Sequence, residues 1–280
     1  MKIGVFTVCM PDYDPDQCFA KLKEFGYDGV EWRVVEDKGD TSKPGFWSGN
    51  RSSMSAKQLI ERAAKLKEKA RAMGLAMPSI ATYIQSDDLA AVDLHLKAAA
   101  AIGAKSARIG PGAYLPDGGS YLQQLKTARE LYARVAELAR KNGVRALIET
   151  HMGLVTPDTY TARYVLEGLD PKDVGIMYDP ANEVFEGGQT YPIAISAAGE
   201  YLAEVHAKNI RYLPGDVVKG QQLWKTETCP LHEGIVNWPA LIVELKKARY
   251  DGWIMGEDFS TTVPLDRRLK GNIAFLKSLL

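Results

Sequence analysis

The chain has 280 residues, of which 46% are hydrophobic and 25% charged, and its 35 Lys and Arg balance its 35 Asp and Glu. This is an ordinary globular composition. A net charge of zero argues against a broadly basic nucleic-acid binder, whose affinity would come from neutralising phosphates. No apolar stretch approaches the roughly 20 residues of a membrane span. We therefore expect neither a nucleic-acid nor a membrane partner.

Cysteine content and the N-terminal segment both bear on the compartment. Cys9, Cys18 and Cys229 are too few and too scattered for a disulfide framework. The N-terminal apolar run ends at Pro11 and is typical of a buried strand rather than a signal peptide. A cytoplasmic protein is the expectation.

In chain order, one local pattern recurs: an amphipathic helical segment, then a glycine, then a short apolar run. Gly26, Gly74, Gly103, Gly143 and Gly252 stand at such junctions, and a glycine just past a helix commonly ends it. The helical stretches include 55–73, 89–101, 121–141, 239–248 and 265–279. The apolar runs predict eight strands, at 2–9, 29–35, 75–82, 105–110, 144–150, 174–178, 202–207 and 252–257.

The predicted strands are continuously apolar, as expected for a parallel sheet that is covered by helices on both faces. Eight strand–helix units predict an α/β fold, a single-domain (β/α)8 TIM barrel over residues 1–280, ahead of an open doubly wound sheet. The two longest irregular stretches, 36–51 and 211–234, each follow a strand. They therefore belong to the face where such barrels place active sites, and loops of this length usually have a function.

Four of the later strands end at a side chain that can bind a metal: Glu149, Asp179, His206 and Glu257. Because all barrel strands end at one mouth, the four side chains converge there. Three carboxylates and one imidazole suit one divalent cation, Mn, Mg or Co first, although Zn and Fe also accept this ligand set. Polar residues are also common at strand ends because loops begin there and water is available. For these four residues, however, that explanation has to hold on four successive strands.

The segments around these positions resemble a known family. The runs at 146–151, 175–182, 205–209 and 256–257, with 26–31 and 232–238, are similar to those of the xylose isomerase-like sugar isomerase/epimerase superfamily. The resemblance implies a TIM barrel in which Glu149, Asp179, His206 and Glu257 bind one divalent metal ion. It also implies that the two glutamates flank the substrate.

Three positions depart from the family pattern. Asn182 stands where epimerases of the superfamily often have His, Asn209 where many members have Asp, and His232 where Gly is usual. Because such positions touch substrate in the family, the exact reaction stays open. The additional histidines that the endonuclease branch needs for a three-metal cluster are missing from the ends of strands three and four.

The four-ligand set suits proton transfer next to a carbonyl. A divalent cation stabilises the enediolate, and Glu149 and Glu257 are the candidates for base and acid. The expected function is a metal-dependent isomerase or epimerase of a keto-sugar or related polyol. The alternative is a metal-dependent lyase or dehydratase that acts on an inosose or a 3-keto-glycoside through the same site. A catalytically silent sugar-binding barrel is a third hypothesis.

Further polar residues near the strand ends are expected to contact the substrate, namely His151, Asn182, Lys208, Arg108, Glu31, His232 and Glu233. His151 and Lys208 lie two residues beyond a ligand, so in an extended strand they point the same way. Arg108 and Glu31 can instead form a buried ion pair within the barrel.

Aromatic residues near the strand ends can form an apolar wall against a sugar ring; they are Trp32, Phe46, Trp47, Tyr83, Tyr114 and Trp224. The glycines at 110–119 match no phosphate-binding spacing. An unphosphorylated sugar or glycoside is therefore the favoured substrate, and a homo-oligomer is left open.

Overall fold

Eight parallel strands close into a barrel in the computed structural model, which describes residues 1–280. The ten strands of the chain are β1 (Lys2–Phe6), β2 (Gly29–Val34), β3 (Ser79–Gln85), β4 (Ser106–Gly110), β5 (Arg145–Glu149), β6 (Val174–Tyr178), β7 (Leu202–Ala207), β8 (Asn209–Val218), β9 (Gln221–Cys229) and β10 (Trp253–Gly256). Around the barrel, β1 to β7 follow one another in chain order and β10 closes the ring between β7 and β1. This arrangement confirms the predicted (β/α)8 barrel.

Nine helices surround the strands: α1 (Pro15–Phe25), α2 (Ala56–Met73), α3 (Leu89–Ile102), α4 (Tyr121–Asn142), α5 (Thr159–Leu166), α6 (Pro180–Val184), α7 (Tyr191–Ala198), α8 (Trp238–Lys247) and α9 (Leu265–Leu279). The helices cover the outer face of the barrel, so that every residue of β2 is buried. Its Trp32 packs edge-on against Phe19 of α1, with ring centroids 5.2 Å apart. None of the helices combines the length and the apolar character that a membrane span requires.

Four of the five predicted junction glycines end a helix in the left-handed conformation, as Gly26 does with φ of 83°. The prediction for Gly252 is wrong. Helix α8 ends earlier, and Arg249 takes the positive φ of 56° at that turn. The strand predicted from residue 75 begins only at Ser79, since Pro78 has no N–H to donate to a neighbouring strand.

The stretch 211–234, predicted to be irregular, contains most of an antiparallel ribbon formed by β8 and β9 (the ribbon, residues 209–229). Its register runs from Asn209 opposite Cys229 to Val218 opposite Gln221. Lys219 and Gly220, both with positive φ, form the two-residue turn that joins the strands. Most ribbon side chains are exposed on both faces, so the segment carries no hydrophobic alternation that would have predicted strands.

Candidate active site

The barrel brings four ligand-type side chains together at its C-terminal mouth. Glu149 ends β5, Asp179 follows β6, His206 lies in β7 and Glu257 follows β10. One ligand atom from each lies within 4.8 Å of those of the other three. All four residues are buried, with at most 3% of their surface exposed. Four converging ligands in so small a volume are what one divalent cation requires.

The orientation of His206 gives a direct test of whether these residues fit a metal ion. Its Nε2 donates to Glu31 Oε2 at 2.9 Å, as metal-bound imidazoles donate their second nitrogen to a carboxylate. Its Nδ1 has no hydrogen-bond partner and lies 3.5 Å from Glu149 and 3.6 Å from Glu257. A buried nitrogen between two carboxylates, with no partner of its own, fits a cation held by all three side chains.

The protonation of His206 follows from the same contacts. Burial by itself lowers the pKa of this imidazole, but the attraction of Glu31 and the surrounding carboxylates outweighs burial and raises the pKa well above its usual range. A proton and a metal ion are therefore drawn to the same nitrogen. Binding of a metal ion would release the proton.

Two buried cations border the four ligands. Arg108 Nη1 lies 2.5 Å from Glu149 Oε2, and Lys208 Nζ lies 2.6 Å from Asp179 Oδ2 and 2.8 Å from Glu257 Oε2. The ion pair between Arg108 and Glu31, the alternative to substrate binding, does not form, because Arg108 pairs with Glu149 on the neighbouring strand β5 and Glu31 contacts His206.

These cations decide the charge of the two glutamates. Burial raises the pKa of both carboxyls, yet Arg108 holds the pKa of Glu149 well below its usual range. Lys208, assisted by His206, lowers the pKa of Glu257 to about 2. For Asp179 the effect of burial exceeds that of Lys208 and the pKa is raised. Both glutamates are therefore ionised at neutral pH.

A second acidic layer lies below the four ligands, deeper in the barrel. Glu31 was expected to contact substrate, but it is fully buried against His206 and does not line the cavity. Glu204 Oε1 lies 3.6 Å from His206 Nε2, and burial together with the charge of Glu31 raises the pKa of Glu204 to about 8. Sequence reasoning missed Glu204, although it precedes His206 by two residues in β7 and so points to the same side.

A cavity of ≈ 570 Å³ opens above the site. Arg108, Glu149, Lys208 and Glu257 form its polar floor, and His151 lies on its side. His151 Nδ1 is 2.6 Å from the carbonyl oxygen of Met152, so Nδ1 carries the proton toward that carbonyl.

Besides Glu31, three of the residues expected to contact substrate lie outside the cavity. Asn182 is buried and donates to Glu149 Oε1 at 3.3 Å, which makes it a support for that ligand. His232 is exposed and packs near Phe275, with ring centroids 6.1 Å apart, while Glu233 pairs with Arg211 at 3.3 Å. Neither His232 nor Glu233 lines the cavity.

The side-chain amide of Asn209 explains where His232 and Glu233 lie. It donates to the carbonyl oxygens of Leu231 and Val236 and thereby fixes the segment between them behind the base of the ribbon. Asn209 is buried, and its role in this chain is to hold that segment.

The aromatic residues divide into two groups. Phe46, Trp47 and Tyr83 line the cavity, as does Phe259, which sequence reasoning missed. Trp32, Tyr114 and Trp224 do not line it. The predicted apolar wall therefore exists on one side of the site, but with a different membership.

The fold and the site together define a class of protein: a TIM barrel with a buried centre of carboxylates and one histidine at its mouth. A family model described as "Xylose isomerase-like TIM barrel" matches residues 19–279. The chain therefore belongs to the xylose isomerase-like TIM barrel family, as the resemblance implied.

Curated relatives match only part of the chain. The inosose dehydratase of Geobacillus thermodenitrificans (strain NG80-2) is 24% identical over 131 residues, which are 44% of this chain and 43% of that protein. The rhizopine catabolism protein MocC of Rhizobium meliloti is 28% identical over 143 residues, 46% of this chain and 42% of that protein. The matches thus span less than half the length of these relatives.

Solved structures match along the whole chain. The 3-keto-D-glucoside 4-epimerase from E. coli superposes with a TM-score of 0.73 at 19% identity and covers 99% of both chains. The probable 3-DHS dehydratase AsbF from Bacillus anthracis gives 0.73 at 18% identity, again over 99% of both. A zinc-bound IOLI protein gives 0.74 at 13% identity, over 100% of this chain and 99% of that one. At these identities the likeness is one of fold.

Proposed function

We propose that the protein is a metal-dependent isomerase or epimerase of a keto-sugar or related polyol that transfers a proton next to a carbonyl. One observation carries the proposal. The carboxylates of Glu149 and Glu257 both line the cavity and both approach His206 Nδ1, at 3.5 and 3.6 Å. Membership in a family with epimerase structures among its neighbours supports it.

Four residues would hold the metal ion: Glu149, Asp179, His206 and Glu257. Their oxygen-rich set favours Mn, Mg or Co. When bound, such an ion stabilises negative charge that develops on the neighbouring substrate oxygens.

The chain's own groups supply the proton transfer. The ionised carboxylate of one glutamate, Glu149 or Glu257, removes the proton from the carbon next to the carbonyl. The other glutamate first takes up a proton from solvent and returns it to the opposite face in an epimerisation, and the first then releases its proton to solvent. Arg108 and Lys208 add fixed positive charge on the cavity floor, where the substrate oxygen becomes negative. The ion pairs with Arg108 and Lys208 make both glutamates weak bases. The same positive charge therefore has to lower the pKa of the substrate carbon from which the proton is removed.

Exchange with solvent deuterium tests the proposal. A panel of ketoses and keto-glycosides is incubated with the protein and Mn in deuterated water and followed by NMR. We expect deuterium in an isomerised or epimerised product, and its loss in Glu149→Gln and Glu257→Gln. Glu233→Gln, an exposed carboxylate outside the cavity, serves as the matched control and should keep full activity. Unchanged turnover in both site variants would refute the assignment.

A dehydratase or lyase acting on an inosose or a 3-keto-glycoside is the second candidate. It is favoured by His151, which lies on the side of the cavity; its Nε2 takes up a proton from solvent and passes it to the leaving oxygen. The inosose dehydratases among the relatives also favour it. The same NMR experiment separates the two, because elimination releases water or the aglycone and leaves an unsaturated product. His151→Ala should then abolish elimination while deuterium exchange continues.

A further inference from the structure

One side of the cavity is built from four aromatic rings, which we call the aromatic wall (Phe46, Trp47, Tyr83 and Phe259). The ring centroid of Phe259 lies 5.2 Å from that of Phe46 and 5.0 Å from that of Trp47, and Tyr83 meets Trp47 edge-on at 6.4 Å. The residues come from segments that follow β2, β10 and the end of β3. Trp47 is 57% exposed, an unusually open position for so large an apolar ring.

The opposite side of the cavity is also apolar. Met152, Leu154, Phe185 and Ile210 line it, from the segments after β5, β6 and β7. Because β2 and β3 lie across the barrel from β6 and β7, Phe46, Trp47 and Tyr83 come from the side opposite the strands that precede Phe185 and Ile210. A flat apolar group would therefore meet apolar side chains on both of its faces.

Apart from His151, the polar side chains on the sides of the cavity already have partners within the protein. Thr82 Oγ1 donates to the Arg108 carbonyl at 2.6 Å, Gln85 Oε1 accepts from the Gly112 N–H at 3.1 Å, and Thr228 Oγ1 donates to the Phe259 carbonyl at 3.3 Å. The hydroxyls of a second sugar would find few partners there, which disfavours their burial. The upper cavity is suited to an apolar group.

The cavity is also larger than one sugar. Its ≈ 570 Å³ equals the volume of about 19 water molecules at about 30 Å³ each. A hexose has about a dozen non-hydrogen atoms, and because these are covalently joined they fill less than the volume of a dozen waters. A monosaccharide on the floor thus leaves more than a third of the space, between the two apolar sides.

We propose that the aromatic wall is a subsite for the ring-shaped apolar aglycone of a glycoside, so that the substrate is a keto-sugar carrying such an aglycone rather than a free monosaccharide. The assignment of the sugar end rests on the proposed function above. The aglycone end rests on the aromatic wall, the facing apolar side and the cavity volume. Stacking on Trp47 and Phe259 adds affinity beyond that of the apolar area buried.

Binding of two unreactive glucosides tests the subsite. Isothermal titration calorimetry of the full chain with saturating Mn compares phenyl glucoside with methyl glucoside. We expect phenyl glucoside to bind at least tenfold more tightly. Trp47→Ala should remove most of that difference, and Phe259→Leu, which keeps an apolar side chain, part of it. Trp224→Ala, which removes a 62% exposed tryptophan outside the cavity, is the matched control and should keep the ratio.

Several outcomes would overturn the subsite. Equal affinity for the two glucosides, no measurable binding of either, or an unchanged ratio in Trp47→Ala would each do so. Cellobiose binding as tightly as phenyl glucoside would assign the space to a second sugar. Because neither glucoside undergoes the proposed reaction, a failure of the isomerase proposal in the deuterium experiment leaves this affinity ratio unaffected.

Discussion

Loop 36–51 and the ribbon are the two long insertions at the mouth of the barrel, and they are ordered in opposite ways. The loop has almost no regular secondary structure, yet buried side chains hold its backbone against the barrel. The ribbon has a hydrogen-bonded ladder along its length, yet most of its side chains are exposed. Regular secondary structure and close packing are therefore separate properties in these two insertions.

The order of the loop depends on one carboxylate, Asp37. Its Oδ1 accepts from the N–H groups of Gly39 and Gly49, both at 2.9 Å, and its Oδ2 accepts from Asn50 N at 3.1 Å and Arg33 Nη1 at 2.9 Å. Burial raises the pKa of Asp37, but these hydrogen bonds outweigh burial and lower it. An irregular backbone can thus be fixed by a single acceptor that satisfies several buried donors.

Each insertion supplies two side chains that line the cavity. Phe46 and Trp47 come from the loop, whereas the ribbon contributes only the pair Ile210 and Thr228 at its base and nothing from its outer part. The comparison predicts that the loop is coupled to the site and that the outer part of the ribbon is not.

Removal of Mn from the proposed four-ligand site should have the largest effect and should leave the ribbon unchanged. Mn at 1,000 times its dissociation constant should raise the free energy of unfolding by about 4 kcal/mol, measured in urea with Mn or with a chelator. His206→Ala, which lacks one ligand, should lose the increment. Tryptic cleavage at Lys219 should proceed at the same rate with and without Mn, and protection there would contradict the independence of the ribbon.

Loss of the Asp37 carboxylate should be the next largest effect. Asp37→Ala leaves Arg33 and three backbone N–H groups without their acceptor, and we expect a loss of about 3 kcal/mol in the free energy of unfolding. The matched control is Asp216→Ala, an exposed aspartate on the ribbon, which should stay within about 0.5 kcal/mol of wild type. Urea denaturation of both variants measures the difference, and equal stabilities would break the comparison.

Acid should reduce the contribution of Asp37 to the free energy of unfolding. Because the pKa of Asp37 is lower in the folded chain than its ordinary value of 3.8, its contribution is fully present above that value and is lost as the pH falls through the folded pKa. Asp37→Asn cannot titrate at this position. The stability difference between wild type and this variant should therefore shrink between pH 5 and about pH 3. A constant difference across that range would show that the carboxylate charge does not hold the loop.

Shortening the ribbon should have the smallest effect. Replacing residues 213–225 by two glycines keeps the pair Tyr212 and Thr226 and removes mainly exposed side chains. We expect a change within about 1 kcal/mol in urea denaturation and unaltered phenyl glucoside affinity. Replacing residues 40–47 in the same way should instead remove the aromatic part of the cavity and weaken that affinity. A shortened ribbon that no longer binds would place ribbon residues in the site.

The barrel and the convergence of four candidate ligands were accessible from sequence because each of these strands is an apolar run that stops at a polar side chain. Glu149, Asp179, His206 and Glu257 stand at such stops on successive strands. Glu204 was not found because it lies inside an apolar run, although its two-residue spacing from His206 was a usable signal. Phe259 carries no local pattern that separates a cavity residue from ordinary packing.

The ribbon escaped prediction for a different reason. With both faces exposed, it lacks the alternation by which half-buried strands are detected. Its turn at Lys219 and Gly220 was the available signal, since glycine favours the backbone of two-residue hairpins. The role expected for His232 and Glu233 depended on motif position alone, and the hydrogen bonds of Asn209 that place them elsewhere cannot be read from spacing.

Closure of the barrel between β1 and β10 has a consequence for biosynthesis. Lys2 pairs with Trp253 and Val5 with Gly256. One edge of β1 therefore has no hydrogen-bond partner until β10, the last strand of the barrel, has been synthesised. Until then the nascent sheet has two open edges, a state prone to wrong pairing. Glu257 follows β10 directly. The four candidate metal ligands therefore come together only when the sheet has closed, so no ion can be held by all four before β10 is in place.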